Sequence, residues 1–177
     1  MSRAHSSALR CLPLLAVMLT ACGAPRADGV GTPPRTGETM VHTSNAHEDR
    51  ARLEAVLRRY EAALNAGDAA AATEVYADDA VFMAQHRAPA EGRAAIRRAY
   101  DEIFAAIQLH VAFGIDEVEV VGDTAWARTH SAGQTEIRAT GGKVPEKNSE
   151  LFVFRKQPDG AWRVARYLFA TQNPPPR

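Results

Sequence analysis

Residues 59–80, RYEAALNAGDAAAATEVYADDA, contain the end of one predicted helix, the whole of a second and the approach to a strand. Apolar side chains recur at helical spacing from residue 53 to residue 64, which predicts that one face of the first helix is buried. They are Leu53, Val56, Leu57, Tyr60 and Leu64. Gly67 accepts the left-handed conformation in which helices often end. Asp68 can cap a second, short helix through Tyr76. A brief strand is predicted over residues 80–83.

Two further helix signals flank this stretch. Asn45 can cap the first helix together with Glu48 three residues later, so that helix is predicted to begin after Asn45. Downstream, Pro89 and Gly92 bracket a loop. A third helix follows, because five apolar side chains again share one face: Ile96, Tyr100, Ile103, Phe104 and Ile107.

After Gln108 the apolar residues alternate with a period of two, which predicts β-strands. The alternation breaks at Asp116-Glu117, where an extra residue indicates a bulge that bends the strand. Later strands are predicted over residues 124–138, 148–156 and 161–170, separated by turns at Gly122-Asp123, Gly141-Gly142 and Pro158-Asp159-Gly160. Three helices followed by a meander of four long antiparallel strands predict an α+β domain with its helices on one face of a bent sheet.

The first 22 residues have the features of a bacterial export signal. Arg3 and Arg10 precede an apolar stretch, residues 12–21, that is too short to span a bilayer. The stretch ends in Leu19-Thr20-Ala21-Cys22, which resembles a lipobox, in which the cysteine is lipidated and becomes the new N terminus. We therefore expect lipidation of Cys22 and attachment to the bacterial cell envelope. Ordinary secretion with cleavage elsewhere is the alternative.

Composition limits the remaining classes. The chain has 177 residues, of which 46% are apolar, and 21 basic residues balance 21 acidic ones. This balance excludes a broad electrostatic nucleic-acid binder, because neutralising phosphates requires an excess of basic residues. Loss of the signal removes Cys11 and two arginines, leaving a net charge of −2. We expect a lipoprotein signal over residues 1–21, a flexible tether over 22–46 that is rich in Gly, Pro, Thr and Ser, a folded domain over 47–173 and a disordered tail over 174–177.

Several segments resemble the NTF2-like superfamily. They are Arg59-Tyr60, the run from Ala62 to Asp68, the run from Tyr76 to Ala80, and Gly92 with Ala95-Ile96. The later segments 150–154 and 162–167 are similar to its DUF4440, SnoaL-like and SgcJ/EcaC-like branches. The resemblance covers residues 46–173. It implies a cone, in which three helices pack on a strongly curved, mainly antiparallel sheet around an apolar pocket open at one end.

A distant similarity to ketosteroid isomerase assigns roles within that cone. It implies that Tyr60 lies where the isomerase holds its oxyanion tyrosine, and that Tyr76 and Tyr100 support it through hydrogen bonds. Glu150 corresponds to a protonated acid. The strand position that would supply the catalytic base reads Ala84, which cannot accept a proton. The isomerase reaction itself is therefore not expected.

Other groups could supply a base or bind a substrate. Trp126, Arg128 and His130 alternate along one predicted strand and so share a face. If that face lines the pocket, as the resemblance implies, Arg128 could bind a carboxylate and His130 could act as a base near neutral pH. If it faces solvent, both are ordinary surface residues. His86, in a loop near the predicted pocket mouth, is a second candidate base or merely an exposed histidine.

We expect the candidate site residues to converge on one cavity: Tyr60, Tyr76, Phe82, Tyr100, Trp126, Arg128, His130, Glu150, Phe152, Tyr167 and Phe169. Tyr60, His130 and Glu150 are the candidate catalytic residues, with the Tyr60 hydroxyl within hydrogen-bond distance of Glu150. The simpler alternatives are that Tyr60 is a core residue and that Glu150 is a solvated carboxylate at a strand edge.

Two functions follow from these expectations. The first is a non-catalytic lipoprotein that binds a small apolar molecule or a partner in its pocket. The second is a small-molecule enzyme of the SnoaL or isomerase type that uses His130 or His86 with Tyr60. We expect no cofactor, no metal site, no nucleic-acid partner, membrane contact through the lipid only, and a homodimer that covers the open face of the sheet.

Overall fold

The computed structural model describes the backbone of residues 36–174 and the side chains of residues 45–174. In this part of the chain two helices precede the first two strands, a third helix follows those strands, and four long strands come last. The elements are α1 (Thr36–Ala66), α2 (Ala69–Glu74), β1 (Tyr76–Met83), β2 (Ala90–Glu91), α3 (Arg93–Ala106), β3 (Ile107–Val121), β4 (Thr124–Ile137), β5 (Gly142–Lys156) and β6 (Trp162–Thr171). This order confirms the predicted α+β class.

The strands form one mixed sheet with the order β2-β1-β6-β5-β4-β3. β1 runs parallel to β6, and all the other neighbouring strands are antiparallel. The register of β3 against β4 shifts between Ile115 and Glu117, which confirms the predicted bulge. The hairpin that follows turns at Gly122, whose φ of 59° lies in the left-handed region that glycine adopts without strain.

The first helix begins earlier than the sequence predicted. It starts at Thr36, so Asn45 lies inside it and residues 36–46, which we expected to belong to the tether, are helical. A capping residue permits a helix to begin but does not force it to, and residues 36–45 contain no proline that would stop the helix. The predicted signal peptide, Cys22 and the rest of the predicted tether lie outside the described residues.

The second helix is capped as predicted, because the Asp68 side chain accepts a hydrogen bond of 3.0 Å from the Ala71 backbone. This helix ends at Glu74, and Tyr76 opens β1, which is longer than the predicted strand. Among the described residues, none belongs to a helix that is both long and apolar enough to cross a membrane.

The core lies between the helices and one face of the sheet. α1 contributes Leu53 and Leu57, α3 contributes Ile96, and β5 contributes Phe152 and Phe154, and all five are almost completely buried. We call the face of the sheet that packs on the helices the inner face, and the opposite face the outer face.

A buried carboxylate links α1 to β6. Asp49 accepts hydrogen bonds of 2.9 Å from Trp162 Nε1 and 2.9 Å from Lys156 Nζ. Burial raises the pKa of Asp49, but these two hydrogen bonds, together with the positive charges of Lys156 and Arg52, hold the pKa below its ordinary value. Trp162 is therefore a core residue that anchors the first helix.

Candidate functional site

A cavity of about 110 Å³ lies between α1, α3 and the inner face of the sheet. Most of its lining is apolar: Leu64, Phe82, Ile103, Ile107, Leu109, Val111, Phe113 and Phe169. The polar lining consists of three tyrosines and four smaller polar or acidic side chains: Tyr60, Tyr100, Tyr167, Ser131, Glu146, Asn148 and Glu150. The cavity is thus an apolar chamber with polar groups gathered on β4 and β5.

One end of the cavity is open. Ile103, Ile107, Leu109, Glu146 and Phe169 are only partly buried and mark its mouth. The tyrosines and Glu150 are buried. The mouth is therefore lined by apolar side chains and Glu146, whereas Glu150 and the tyrosines lie deeper.

Three tyrosine hydroxyls form a buried chain of hydrogen bonds beside the cavity. Tyr100 is in the middle, with its hydroxyl 2.8 Å from that of Tyr76 and 2.5 Å from that of Tyr60. Burial raises the pKa of all three hydroxyls well above the ordinary value, so they remain protonated at neutral pH. The resemblance to ketosteroid isomerase implied hydrogen bonds among these tyrosines, and the structure contains them.

Aromatic rings form one wall of the cavity. Tyr167 stacks on Phe152 with ring centroids 4.1 Å apart, and on its other flank it stacks on Phe82 at 5.4 Å. Phe82 in turn stacks on Tyr100 at 5.1 Å. These stacked rings therefore form a continuous aromatic surface on this side of the cavity.

Glu150 is buried at the cavity, with only 4% of its surface exposed. Its Oε2 atom accepts a hydrogen bond of 2.5 Å from the Thr129 hydroxyl. Burial raises the pKa of Glu150, and hydrogen bonds from Ser131 and Thr129 only partly offset that rise. The alternative of a solvated edge carboxylate is therefore wrong.

The expected hydrogen bond between Tyr60 and Glu150 is not formed within the described residues. Tyr60 pairs with Tyr100, and Glu150 pairs with Thr129 on the neighbouring strand. The reason is strand register, because Thr129 lies directly opposite Glu150 in the β4–β5 ladder and meets it on the inner face.

Three polar residues that line the cavity, Ser131, Glu146 and Asn148, were not predicted from the sequence. Asn148 Nδ2 donates to Glu146 Oε1 at 2.8 Å and to Ser131 Oγ at 3.2 Å, and Thr135 Oγ1 donates to Glu146 Oε2 at 2.8 Å. A signal was available, since positions 146, 148 and 150 alternate along β5 and must share the face of Glu150.

The prediction that Trp126, Arg128 and His130 line the cavity is wrong. They lie on the outer face, where the side chains of Arg128 and His130 are 56% and 50% exposed. Arg128 Nη1 lies 3.0 Å from Asp116 Oδ2, and His130 Nδ1 lies 2.8 Å from Asp116 Oδ1. The His130 ring covers Gly114 on the adjacent strand, and a side chain at that position would collide with it.

His86 also lies away from the cavity. It is exposed, adopts a φ of 60° and has its Nε2 atom 2.8 Å from Gln85 Nε2. Neither histidine that was predicted as a base therefore reaches a molecule bound in the cavity.

The remaining predicted residues fall into two groups. Tyr60, Tyr100, Glu150 and three aromatic residues, Phe82, Tyr167 and Phe169, line the cavity as expected. Tyr76 and Phe152 are fully buried behind that lining and support it. Among the described residues, no three His, Cys, Asp or Glu side chains gather closely enough to hold a metal ion.

The fold, together with a cavity that is open at one end, defines a domain of the NTF2-like class. Residues 57–165 match the family model of the SnoaL-like domain, which is more than half of the chain. The chain belongs to the SnoaL-like family within the NTF2-like superfamily. A search of curated proteins gave no match.

Solved structures agree with this assignment. A ketosteroid isomerase-like protein from Erwinia carotovora atroseptica is 33% identical, with a TM-score of 0.68 over 70% of this chain and 96% of its own. An NTF2-like protein with a cystatin-like fold from Novosphingobium aromaticivorans is 26% identical, with a TM-score of 0.63 over 80% of this chain and 93% of its own. A conserved protein from Planctomyces limnophilus, 23% identical with a TM-score of 0.61, covers 71% of this chain and 98% of its own, and shows the fold alone.

Proposed function

We propose that the domain binds a small, largely apolar molecule in this cavity and does not transform it. The supporting observation is the distribution of the lining, with aliphatic and aromatic side chains at the mouth and walls and a compact polar cluster on β4 and β5. An apolar cavity of about 150 Å³ accommodates benzene. A cavity of about 110 Å³ therefore holds a slim ligand or the end of a longer one.

The absence of a suitably placed base at the predicted positions supports binding over catalysis. Position 84 is an alanine, and His130 and His86 lie outside the cavity. Burial raises the pKa values of the tyrosines, so their hydroxyls stay protonated at neutral pH and supply no phenolate that could act as a base. They can donate hydrogen bonds to a ligand without reacting with it.

Methyl NMR on the full chain tests the proposal with 1-hexanol as a neutral probe. We expect the resonances of Ile103 and Leu109 to shift saturably. The variant Leu109→Trp should fill the mouth and abolish the shift of Ile103. Val121→Trp, at a position 63% exposed in the β3–β4 hairpin, should retain the shifts of both residues. Shifts scattered over the surface, or none, would contradict a binding cavity.

A proton-transfer enzyme is the second candidate, and Glu150 is the observation that favours it. Its carboxyl group lines the cavity with a raised pKa, beside protonated tyrosines, as a general acid or base requires. Exchange of the α-protons of 2-pentanone in D₂O separates the two functions. An enzyme would accelerate the exchange and lose the acceleration in Glu150→Gln, whereas a binding protein would leave the background rate unchanged.

We also propose that the domain is held at the bacterial cell envelope by lipid on Cys22. The lipobox-like Leu19-Thr20-Ala21-Cys22 after a short apolar stretch supports this localisation. Replacing Cys22 with Ser should move the protein from the membrane fraction to the soluble fraction. Retention of the variant in membranes at the parental level would refute lipid anchoring.

A homodimer through the outer face of the sheet completes the proposal. Leu151 and Leu168 support it, because they are paired across β5 and β6 and are 36% and 39% exposed. Light scattering should give a dimer mass for the full chain at micromolar concentration and a monomer mass for Leu151→Lys. A monomeric parent chain would count against this assembly.

A further inference from the structure

Asn148 leaves an unused hydrogen-bond acceptor at the cavity wall. Asn148 lies on β5 and lines the cavity, and only 7% of its surface is exposed. Its Nδ2 group donates to the Glu146 carboxylate, which orients the amide, because the reverse orientation would set two acceptors against each other. Its Oδ1 atom has no hydrogen-bond partner among the described residues. A buried acceptor without a donor is costly, so it calls for a donor from a bound molecule.

The acidic character of the cavity lining also favours a ligand that donates hydrogen bonds. Two carboxyl groups, those of Glu146 and Glu150, line the cavity, and no Lys or Arg is among the described lining residues. Their hydrogen bonds within the cluster come from neutral groups, the hydroxyls of Thr135, Thr129 and Ser131 and the amide of Asn148. These contacts supply neutral donors only, so no basic side chain among the described lining residues balances the two carboxyl groups.

Resting on the binding function proposed above, we propose that the ligand is an amphipathic amine. Its ammonium group donates to Asn148 Oδ1 and lies close to Glu146 and Glu150. Its apolar part occupies the chamber lined by Phe82 and Leu109. An alcohol supplies the donor but no charge, whereas a carboxylate supplies neither and is repelled by both glutamates.

Three probes that share one alkyl chain test this specificity on the full chain. The dissociation constants of hexylamine, 1-hexanol and hexanoate are measured by titrating the methyl resonances of Ile103 and Leu109. We expect hexylamine to bind about tenfold more tightly than 1-hexanol, which is about 1.4 kcal/mol. Hexanoate should bind more weakly than 1-hexanol.

Two variants separate the acceptor from the charge. Asn148→Ala should weaken hexylamine and 1-hexanol by a similar factor, because both lose the same acceptor. Glu146→Gln should weaken hexylamine several-fold and leave 1-hexanol nearly unchanged, which reduces the preference for the amine. Glu119→Gln removes the same charge from an exposed position on β3 outside the cavity and should preserve the parental preference.

The outcomes distinguish the two proposals. If 1-hexanol binds in the cavity and hexanoate binds as tightly as hexylamine, the amine specificity is overturned and the binding function stands. If none of the probes shifts the cavity resonances, the binding function fails and the specificity fails with it. If a variant does not fold, the ranking of the three probes on the parent chain still decides between these results.

Discussion

The two faces of β4 and β5 carry opposite chemistry on adjacent residues. On the inner face, Thr129 and Glu150 are buried and hydrogen-bonded to each other. Glu150 lines the cavity, and Thr129 holds its carboxyl group in place. On the outer face, Arg128 and His130 are exposed and lie within 3.0 Å of Asp116. A shift of a single residue along the strand separates a candidate binding site from an ordinary surface ion-pair cluster.

This difference shows how burial changes the behaviour of a charge. Glu150 is surrounded by protein, so its pKa is raised and its hydrogen bonds determine where it points. Ion pairs on the outer face are screened by solvent and typically contribute no more than about 1 kcal/mol to the free energy of unfolding. We therefore expect substitutions on the inner face to have large effects and those on the outer face to have small ones.

Phe152→Ala should have the largest effect on stability. Phe152 is fully buried and stacked on Tyr167, so truncation leaves a cavity and should lower the free energy of unfolding by about 3–5 kcal/mol. The exposed outer-face variant Val121→Ala is the control and should cost at most about 1 kcal/mol. Urea denaturation measures both, and equal losses would break the contrast between the faces.

Tyr100→Phe should have the next largest effect. Tyr100 is the middle hydroxyl of the chain, and its loss leaves the buried hydroxyls of Tyr60 and Tyr76 without this partner. We expect a loss of about 1–3 kcal/mol in the free energy of unfolding. Tyr76→Phe removes an end of the same chain and should cost less, and the reverse order would contradict a chain centred on Tyr100.

Glu150→Gln should change the pH dependence of stability. Because burial raises the folded-state pKa of Glu150, its contribution to stability is fully present below the unfolded pKa and is lost as pH rises through the folded pKa. The stability of the parent relative to Glu150→Gln should therefore fall as pH rises above the ordinary pKa of a glutamate, about 4.3. Val121→Ala, at an exposed position, introduces no titrating group, and its difference from the parent should stay constant. A constant difference for Glu150→Gln would mean that burial does not raise this pKa.

His130→Ala should have the smallest effect. It removes an exposed pair with Asp116, so we expect a change within about 1 kcal/mol in the free energy of unfolding and no change in 1-hexanol binding. Ser131→Ala, one residue along on the inner face, removes a hydrogen-bond partner of Asn148 at the cavity and should alter 1-hexanol binding. Calorimetry measures the stability of the two variants, and the methyl titration measures their binding of 1-hexanol. Binding that is weakened in His130→Ala but not in Ser131→Ala would reverse the assignment of the faces.

The sequence predicted most of the fold because the signals for it are local. A period of 3.6 along α1 and α3, a period of two after Gln108, and the turn at Gly122 each depend on a few neighbouring residues. The bulge at Asp116-Glu117 was visible as one extra residue in an alternating pattern. The start of α1 at Thr36 was missed, because a good capping residue at Asn45 does not compel the helix to begin there.

Only the tertiary structure decided which face of β4 lines the cavity. The strand alternates alanines with Trp126 and Arg128, and hydrophobicity alone does not identify the inner set. Across the ladder Ala127 lies opposite Phe152, so the small side chain is needed on the inner face, where the large ring of β5 takes the space. The same register places Thr129 against Glu150 and turns His130 outward over Gly114. The sequence by itself thus determined the elements and their order. The candidate site depended on packing between residues distant in the chain, since a side chain faces the cavity only where its neighbours across the sheet leave room for it.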